Sequence, residues 1–198
     1  QWERALEIFD ALQQRGLEPT RITFNSLISA CGRGGQWQKA LEIFDELQQR
    51  GLEPNIITYG ALISVCARGG QLAKALEIFD ELRLRGLEPS PITYSTLISA
   101  CGKGGQWERA LEIFDEAQQR GPQPDLNMHN ALISACGKGG QWERALEIFD
   151  ALQQRGLEPT RITFNSLISA CGRGGQWQKA LEIFDELQQR GLDPDRVT

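Results

Sequence analysis

Apolar residues recur along the chain in two alternating patterns. In the clearer one, Trp37, Ala40, Leu41, Ile43, Phe44 and Leu47 fall at three- and four-residue spacings, which draws one stripe along a helix. The opposite face carries Glu42, Asp45 and Glu46, and Glu46 precedes Arg50 by four residues, the favourable orientation for an exposed ion pair. Gly51 follows where a left-handed C-cap is expected, and Pro54 forbids continuation. The second pattern is shorter. Phe24, Leu27, Ile28 and Cys31 lie on one side of a helix predicted over roughly residues 23–31, with Thr23 as its N-cap. The turn Gly32-Arg33-Gly34-Gly35 joins the two as an αα-hairpin.

The hairpin repeats. Trp2, Trp37, Trp107, Trp142 and Trp177 share a register of 35, with Leu72 in the remaining slot. Cys31, Cys66, Cys101, Cys136 and Cys171 follow the same period, as do six Gly from Gly16 to Gly191 and six Pro from Pro19 to Pro194. Residues 1–20 then read as the second helix of a truncated repeat. Five full repeats follow at 21–55, 56–90, 91–125, 126–160 (a degenerate copy) and 161–195, and 196–198 begin another. Neither helix can bury its stripe alone, so neighbouring hairpins must stack into an all-α solenoid with no global core.

Composition changes this picture only once it is divided by repeat. The chain has 198 residues, 40% of them apolar, and a net charge of −5, which by itself argues against a basic nucleic-acid tail. No apolar run approaches the roughly 18 residues of a membrane span, so no membrane insertion is expected. Gln1-Trp2-Glu3-Arg4 shows no targeting pattern. The first-helix segments 21–34, 56–69, 91–104, 126–139 and 161–174 contain seven basic residues and no acidic one. They therefore carry +7 and leave −12 for everything else. Arg33, Arg68, Lys103, Lys138 and Arg173 recur at one register, as phosphates recur along a strand, and are the candidate phosphate contacts. Solvated basic turn residues are the alternative.

The unit from Ile22 to Pro54, with its Thr-Phe-Asn-Ser-Leu-Ile-Ser-Ala-Cys and Trp-Gln-Lys-Ala-Leu-Glu-Ile-Phe-Asp-Glu-Leu segments, resembles a pentatricopeptide repeat. The resemblance covers essentially the whole chain; a tetratricopeptide array differs in its period of 34 and its signature. It implies a right-handed α-solenoid superhelix that binds single-stranded RNA in mitochondria or chloroplasts. First helices would line the concave face, and each repeat would read one base. In this family the second residue of each repeat is an aliphatic that packs on the base face. Here these are Ile22, Ile57, Ile92, Asn127 and Ile162, with Asn127 departing from the pattern. The fifth and last residues read base identity, as the pairs Asn25 with Asn55, Gly60 with Ser90, Ser95 with Asp125, Asn130 with Thr160, and Asn165 with Asp195. The implied letters, 5′ to 3′, are a pyrimidine (cytosine favoured), none, guanine, a weak pyrimidine and uracil. Gly60 has no side chain with which to discriminate.

The fourth repeat is the poorest copy. His129 replaces the aromatic seen as Phe24, Tyr59, Tyr94 and Phe164, and in the stretch leading into it Ala117 replaces a stripe Leu and Pro122-Gln123-Pro124 replaces Leu-Glu-Pro. With no second His, His129 reads as a core substitute rather than a metal ligand or catalyst. The five cysteines occupy one structural position, roughly 10 Å apart if copies stack at helix–helix spacing, which is beyond disulfide reach. No C-x-x-C pair is present, so neither zinc nor another cofactor is expected. The second-helix carboxylates repeat identically, whereas acid–base catalysis needs an asymmetric pair, so the segment does not read as an enzyme. A protein-interaction scaffold within a larger organellar complex is the competing function. Residues 1–52 are identical to 141–192, which fits recent duplication, consensus design or assembly from similar units. A leading second helix with Trp2, Leu6 and Phe9 unpartnered would favour head-to-tail self-association.

Overall fold

The computed structural model describes residues 2–192. Among them are eleven helices and no strand: α1 (Trp2–Gln14), α2 (Arg21–Arg33), α3 (Trp37–Gln49), α4 (Ile56–Arg68), α5 (Leu72–Leu84), α6 (Pro91–Lys103), α7 (Trp107–Arg120), α8 (Leu126–Lys138), α9 (Trp142–Gln154), α10 (Arg161–Arg173) and α11 (Trp177–Gln189). The first helices begin earlier and end later than the apolar spacing predicts. The N-cap of α2 is Thr20, not Thr23. Thr23 is instead the N3 partner in a capping box, its hydroxyl accepting from the Thr20 N–H at 3.3 Å. At the other end the α2 C-cap is Gly34, so the helix runs on through Gly32 and Arg33, neither of which belongs to its apolar stripe.

Helix ends share one device. After α3, Gly51 adopts φ +71°, its N–H donates to the Gln48 carbonyl, and the Leu52 N–H reaches back to the Leu47 carbonyl at 3.1 Å. This pair of bonds is a Schellman motif, and it needs a residue without a Cβ at the left-handed position. After α7 the device is lost. Pro122 has no N–H to donate, Gly121 sits at φ −109°, and α7 runs on to Arg120.

Contacts cluster into two units, Gln1–Thr93 and Tyr94–Thr198. In the first, α2 packs against α1, α3 and α4, and α4 packs against α3 and α5. Its core includes Phe24, Ile28, Leu47, Tyr59, Leu62 and Ile63, with edge-on ring pairs Phe9–Phe24 at 5.4 Å and Phe44–Tyr59 at 5.6 Å. Phe9 is buried, and Trp2 and Leu6 are half-buried, so α1 has the partner that the sequence reading denied it. In the second unit α8 packs against α7, α9 and α10, and α10 against α9 and α11. Phe114–His129 at 5.0 Å and Phe149–Phe164 at 5.6 Å repeat the ring pairs. In both units the first helices of consecutive repeats approach closely through small residues. A Cβ on Gly32 would overlap Val65, and one on Gly137 would overlap Ala170. That close approach sets neighbouring first helices side by side. All five cysteines are buried free thiols, and burial pushes the Cys66, Cys101 and Cys136 thiols up to about 11.

Candidate nucleic-acid interface

First helices bury Phe24, Leu27, Ile28 and Cys31 and their counterparts, which turns the second residue of each repeat outward. Ile22 is 77% exposed, Ile57 64%, Ile92 75% and Ile162 64%, whereas Ile28, Ile63, Ile98 and Ile133 of the same helices are fully buried. Asn127 is exposed at the same register. Fully covering an isoleucine recovers about 1.5–3 kcal/mol, so these side chains are a standing incentive for a flat apolar surface to bind.

The basic residues end the same helices. Arg33, Arg68, Lys103, Lys138 and Arg173 are all exposed, and none forms a salt bridge among the described residues. The cations of the second helices differ: Lys39, Lys74, Arg109, Arg144 and Lys179 each pair with the Glu three residues on, at 2.6–2.9 Å. Within the second unit the first-helix cations feel one another. Lys138 is held below the usual lysine range by partial burial and then by the charges of Lys103 and Arg173. Within the first unit, the Arg68 guanidinium reaches Gly32, the chain neighbour of Arg33.

The fifth residues face the same side. Asn25 and Asn130 are half-buried, and each carries a buried Oδ1 with no hydrogen-bond partner. An unpaired buried acceptor costs about 1–3 kcal/mol and is uncommon away from functional positions. Gly60, Ser95 and Asn165 occupy the equivalent half-buried position. Between α8 and α10 a groove of about 280 Å³ is lined by Lys138, Arg173, Ile162, Asn165 and Ser166. It gathers one apolar platform, one amide and two cations, members of all three classes of candidate residue.

The last residue of each repeat has a duty that the sequence reading missed: it is the N-cap of the next first helix. Asn55 Oδ1 accepts from the Ile57 and Thr58 N–H groups, both at 3.1 Å. Asp125 Oδ1 accepts from the Met128 N–H at 2.9 Å, and Ser90 Oγ accepts from the Thr93 N–H at 3.2 Å. Thr160 closes a capping box with Thr163. The signal was present, since Asn, Asp, Ser and Thr are the preferred N-caps. Asp195 lies outside the described residues.

His129 is buried in the second unit, its Nδ1 2.8 Å from the Asp125 carbonyl. Burial, then the Arg155 charge, hold its pKa below the usual histidine value despite the opposing pull of Asp125. No group of three or more His, Cys, Asp or Glu able to hold a metal occurs among the described residues. No described helix is long and apolar enough to cross a membrane.

Two-helix units that pack on their sequence neighbours, with cations and exposed aliphatics in register on one helix of each pair, define an α-solenoid repeat protein. The pentatricopeptide repeat domain signature matches residues 1–34, 42–104 and 112–174, and that of the PPR repeat matches 22–52, 92–122 and 162–192. The chain belongs to the pentatricopeptide repeat family. Among solved structures it is similar to the pentatricopeptide repeat protein PPR10 from maize, with 34% identity and a TM-score of 0.77, covering 98% of this chain and 28% of that one. It is similar also to PPR10 in complex with an 18-nt psaJ RNA element (31% identity, TM-score 0.64, 99% of this chain and 32% of that one). The PPR domain of Arabidopsis thaliana protein-only RNase P 1, in complex with tRNA, shares the fold at 17% identity and a TM-score of 0.71, over 85% of this chain and 89% of that one. The chain thus spans about a third or less of the length of the maize protein. A comparison with curated protein sequences finds no significant match.

Proposed function

We propose that this segment binds single-stranded RNA along its first helices, one nucleotide per repeat, and acts by holding a transcript rather than by chemistry on it. The groove between α8 and α10 carries this reading, because it brings Ile162, Asn165, Lys138 and Arg173 around one space. Ile22, Ile57, Ile92 and Ile162 are the platforms for base faces. Arg33, Arg68, Lys103, Lys138 and Arg173 meet phosphates. The fifth and last residues, Asn25 with Asn55, Gly60 with Ser90, Ser95 with Asp125, Asn130 with Thr160 and Asn165 with Asp195, face base edges. Asn127 offers no apolar platform, so the fourth repeat holds its nucleotide most weakly. Support also comes from the maize relative, whose structure was solved with an RNA element. An organellar transcript is the substrate class that follows from the family.

The test is binding of a short RNA carrying cytosine, guanine and uracil at the first, third and fifth positions, measured across salt. Five phosphate contacts predict a log–log slope of roughly −3.5. Lys138→Glu with Arg173→Glu should abolish most affinity, while Lys179→Glu, on a second helix, should change it little. A flat salt response, or equal losses from both sets, overturns the reading. Co-purification with a protein partner and no RNA would favour the scaffold instead.

A further inference from the structure

The fifth, ninth and thirteenth residues of a repeat stand nearly one above another on its first helix, a turn and about 6 Å apart. The ninth is serine every time: Ser29, Ser64, Ser99, Ser134 and Ser169. A serine inside a helix ordinarily returns its hydroxyl to the carbonyl four residues back. Ser26 and Ser166 do so, donating to the Ile22 and Ile162 carbonyls at 2.9 Å. The five ninth-residue hydroxyls form no hydrogen bond among the described residues, although alanine would serve the helix better at each position. Four of these serines are half-buried, and Ser169 is exposed. In the first and fourth repeats the row therefore holds three polar groups in want of a partner: the buried Oδ1 of Asn25 or Asn130, the hydroxyl, and a cation outside any salt bridge. In the first unit the Arg68 side chain folds back over Ser64, its Nε donating to the Ser64 carbonyl at 3.2 Å. In the second, Ser134 and Ser169 line the groove that also holds Lys138, Asn165 and Arg173.

We infer that the serine row reads the sugar: its hydroxyls bond ribose 2′-OH groups and make the array select RNA over DNA. The inference rests on the proposed RNA-binding reading and adds to it residues that meet neither base nor phosphate. A nucleotide is covalently ordered as base, sugar and phosphate. A base edge at Asn165 and a phosphate at Arg173 leave the sugar opposite Ser169, which lies midway between them on the same helix face. The other first helices carry the same order. A 2′-OH both donates and accepts, as a serine hydroxyl does, so the two match in either direction. It is also the group by which a protein tells ribose from deoxyribose at a given place. A lysine at the ninth residue would hold both kinds of strand by charge, and an alanine would be blind to the sugar. A free hydroxyl is the side chain that separates them.

The experiment uses the 198-residue chain and three strands of one base sequence, built on ribose, 2′-deoxyribose (with deoxyuridine for uridine) and 2′-fluororibose. The fluoro strand keeps a ribose-like pucker but has no hydroxyl to donate. The parent should bind the ribose strand roughly tenfold or more tightly than either of the others, since one net hydrogen bond is worth about two- to tenfold. Replacing all five serines by alanine, the better helix former, should bring ribose affinity down to the deoxyribose level and leave deoxyribose affinity within about twofold. Ser134→Ala alone, tested on ribose strands carrying one deoxynucleotide at each position in turn, should erase the penalty at one position and keep it elsewhere. Ser26→Ala, whose hydroxyl is held by its own helix, should leave the ratio unchanged. Equal losses on ribose and deoxyribose strands would put the hydroxyls on phosphates and overturn the inference. So would an unchanged ratio in the five-alanine variant, a fluoro strand that binds like ribose, or a parent indifferent to the sugar. Each of these leaves single-strand binding standing. A parent that binds none of the strands overturns the functional reading and this inference with it.

Discussion

The second and fourth repeats solve the same packing problem with different chemistry. In the second, the Tyr59 hydroxyl donates to Glu81 on α5 at 2.7 Å, and Arg85 pairs with the same carboxylate at 3.1 Å while lying 5.9 Å from the ring centre. Burial and Glu81 push the phenol up, so it stays a neutral donor. In the fourth, His129 takes the ring position, Ala151 the carboxylate position, and Arg155 remains. The Arg then has no carboxylate four residues before it, and it faces a ring able to become a cation. The entry to each repeat differs too: Gly51-Leu52 ends α3 with two back-directed bonds, whereas Gly121-Pro122 ends α7 with only the Gly121 N–H to the Ala117 carbonyl. A ring, a carboxylate and a cation form a closed set. Removing the middle member leaves the other two in conflict whenever the ring is protonated.

Deleting each ring should expose the contrast most strongly. Tyr59→Ala removes a fully buried aromatic together with its bond to Glu81 and should cost about 3–5 kcal/mol. His129→Ala should cost clearly less, because the ring it removes has no carboxylate to lose. Chemical denaturation with hydrogen exchange resolved by helix measures both, and equal losses would erase the distinction.

Transplanting the turn tests the other half. Leu52→Pro gives the end of the first repeat the Pro found at the end of the third, deletes the Leu52 N–H to Leu47 carbonyl bond, and should cost about 1–2 kcal/mol. Amide exchange at the end of α3 should then match that at the end of α7. Unchanged protection would mean the Schellman bonds contribute nothing there.

The smallest effect is also the one that depends on pH. The pKa of His129 in the fold lies below its unfolded value of 6.5, so the unfolded chain takes up the proton first. The stability associated with a neutral His129 is therefore present above that value and is lost as pH falls toward the folded pKa. Ala151→Glu restores the missing carboxylate together with its i,i+4 pair to Arg155, and should recover about 0.5–1 kcal/mol near pH 5.5 and a smaller gain of roughly 0.3–0.5 kcal/mol near pH 7.5. Melting of α8 followed at both pH values, with His129→Phe as the reference that cannot titrate, decides it. A gain independent of pH would mean that the introduced carboxylate lies away from the ring.

The second helices were legible from spacing alone because their main apolar stripe runs along one face and a Gly and a Pro follow their ends. The first helices were legible only in their middles. Arg21, Ile22 and Arg33 are helical but exposed, so they carry no periodic signal, and Thr20 resembled a loop residue after Pro19. The exposed isoleucines were nameable by register, but their exposure was not, since an aliphatic at that spacing serves equally well between repeats. The cations could be counted, but not their freedom from carboxylates. That depends on which Glu lies three residues from which Lys on a helix pointing elsewhere.

Asn55, Ser90, Asp125 and Thr160 are four letters of one short alphabet, the side chains that start helices well. A position that must also begin the next helix cannot accept Lys, Leu or Phe without fraying it, so its vocabulary is closed by folding before any ligand is consulted. Under the base-reading role proposed for this position, retargeting such an array by substitution there exchanges thermal stability for selectivity, one hairpin downstream of the residue that was changed.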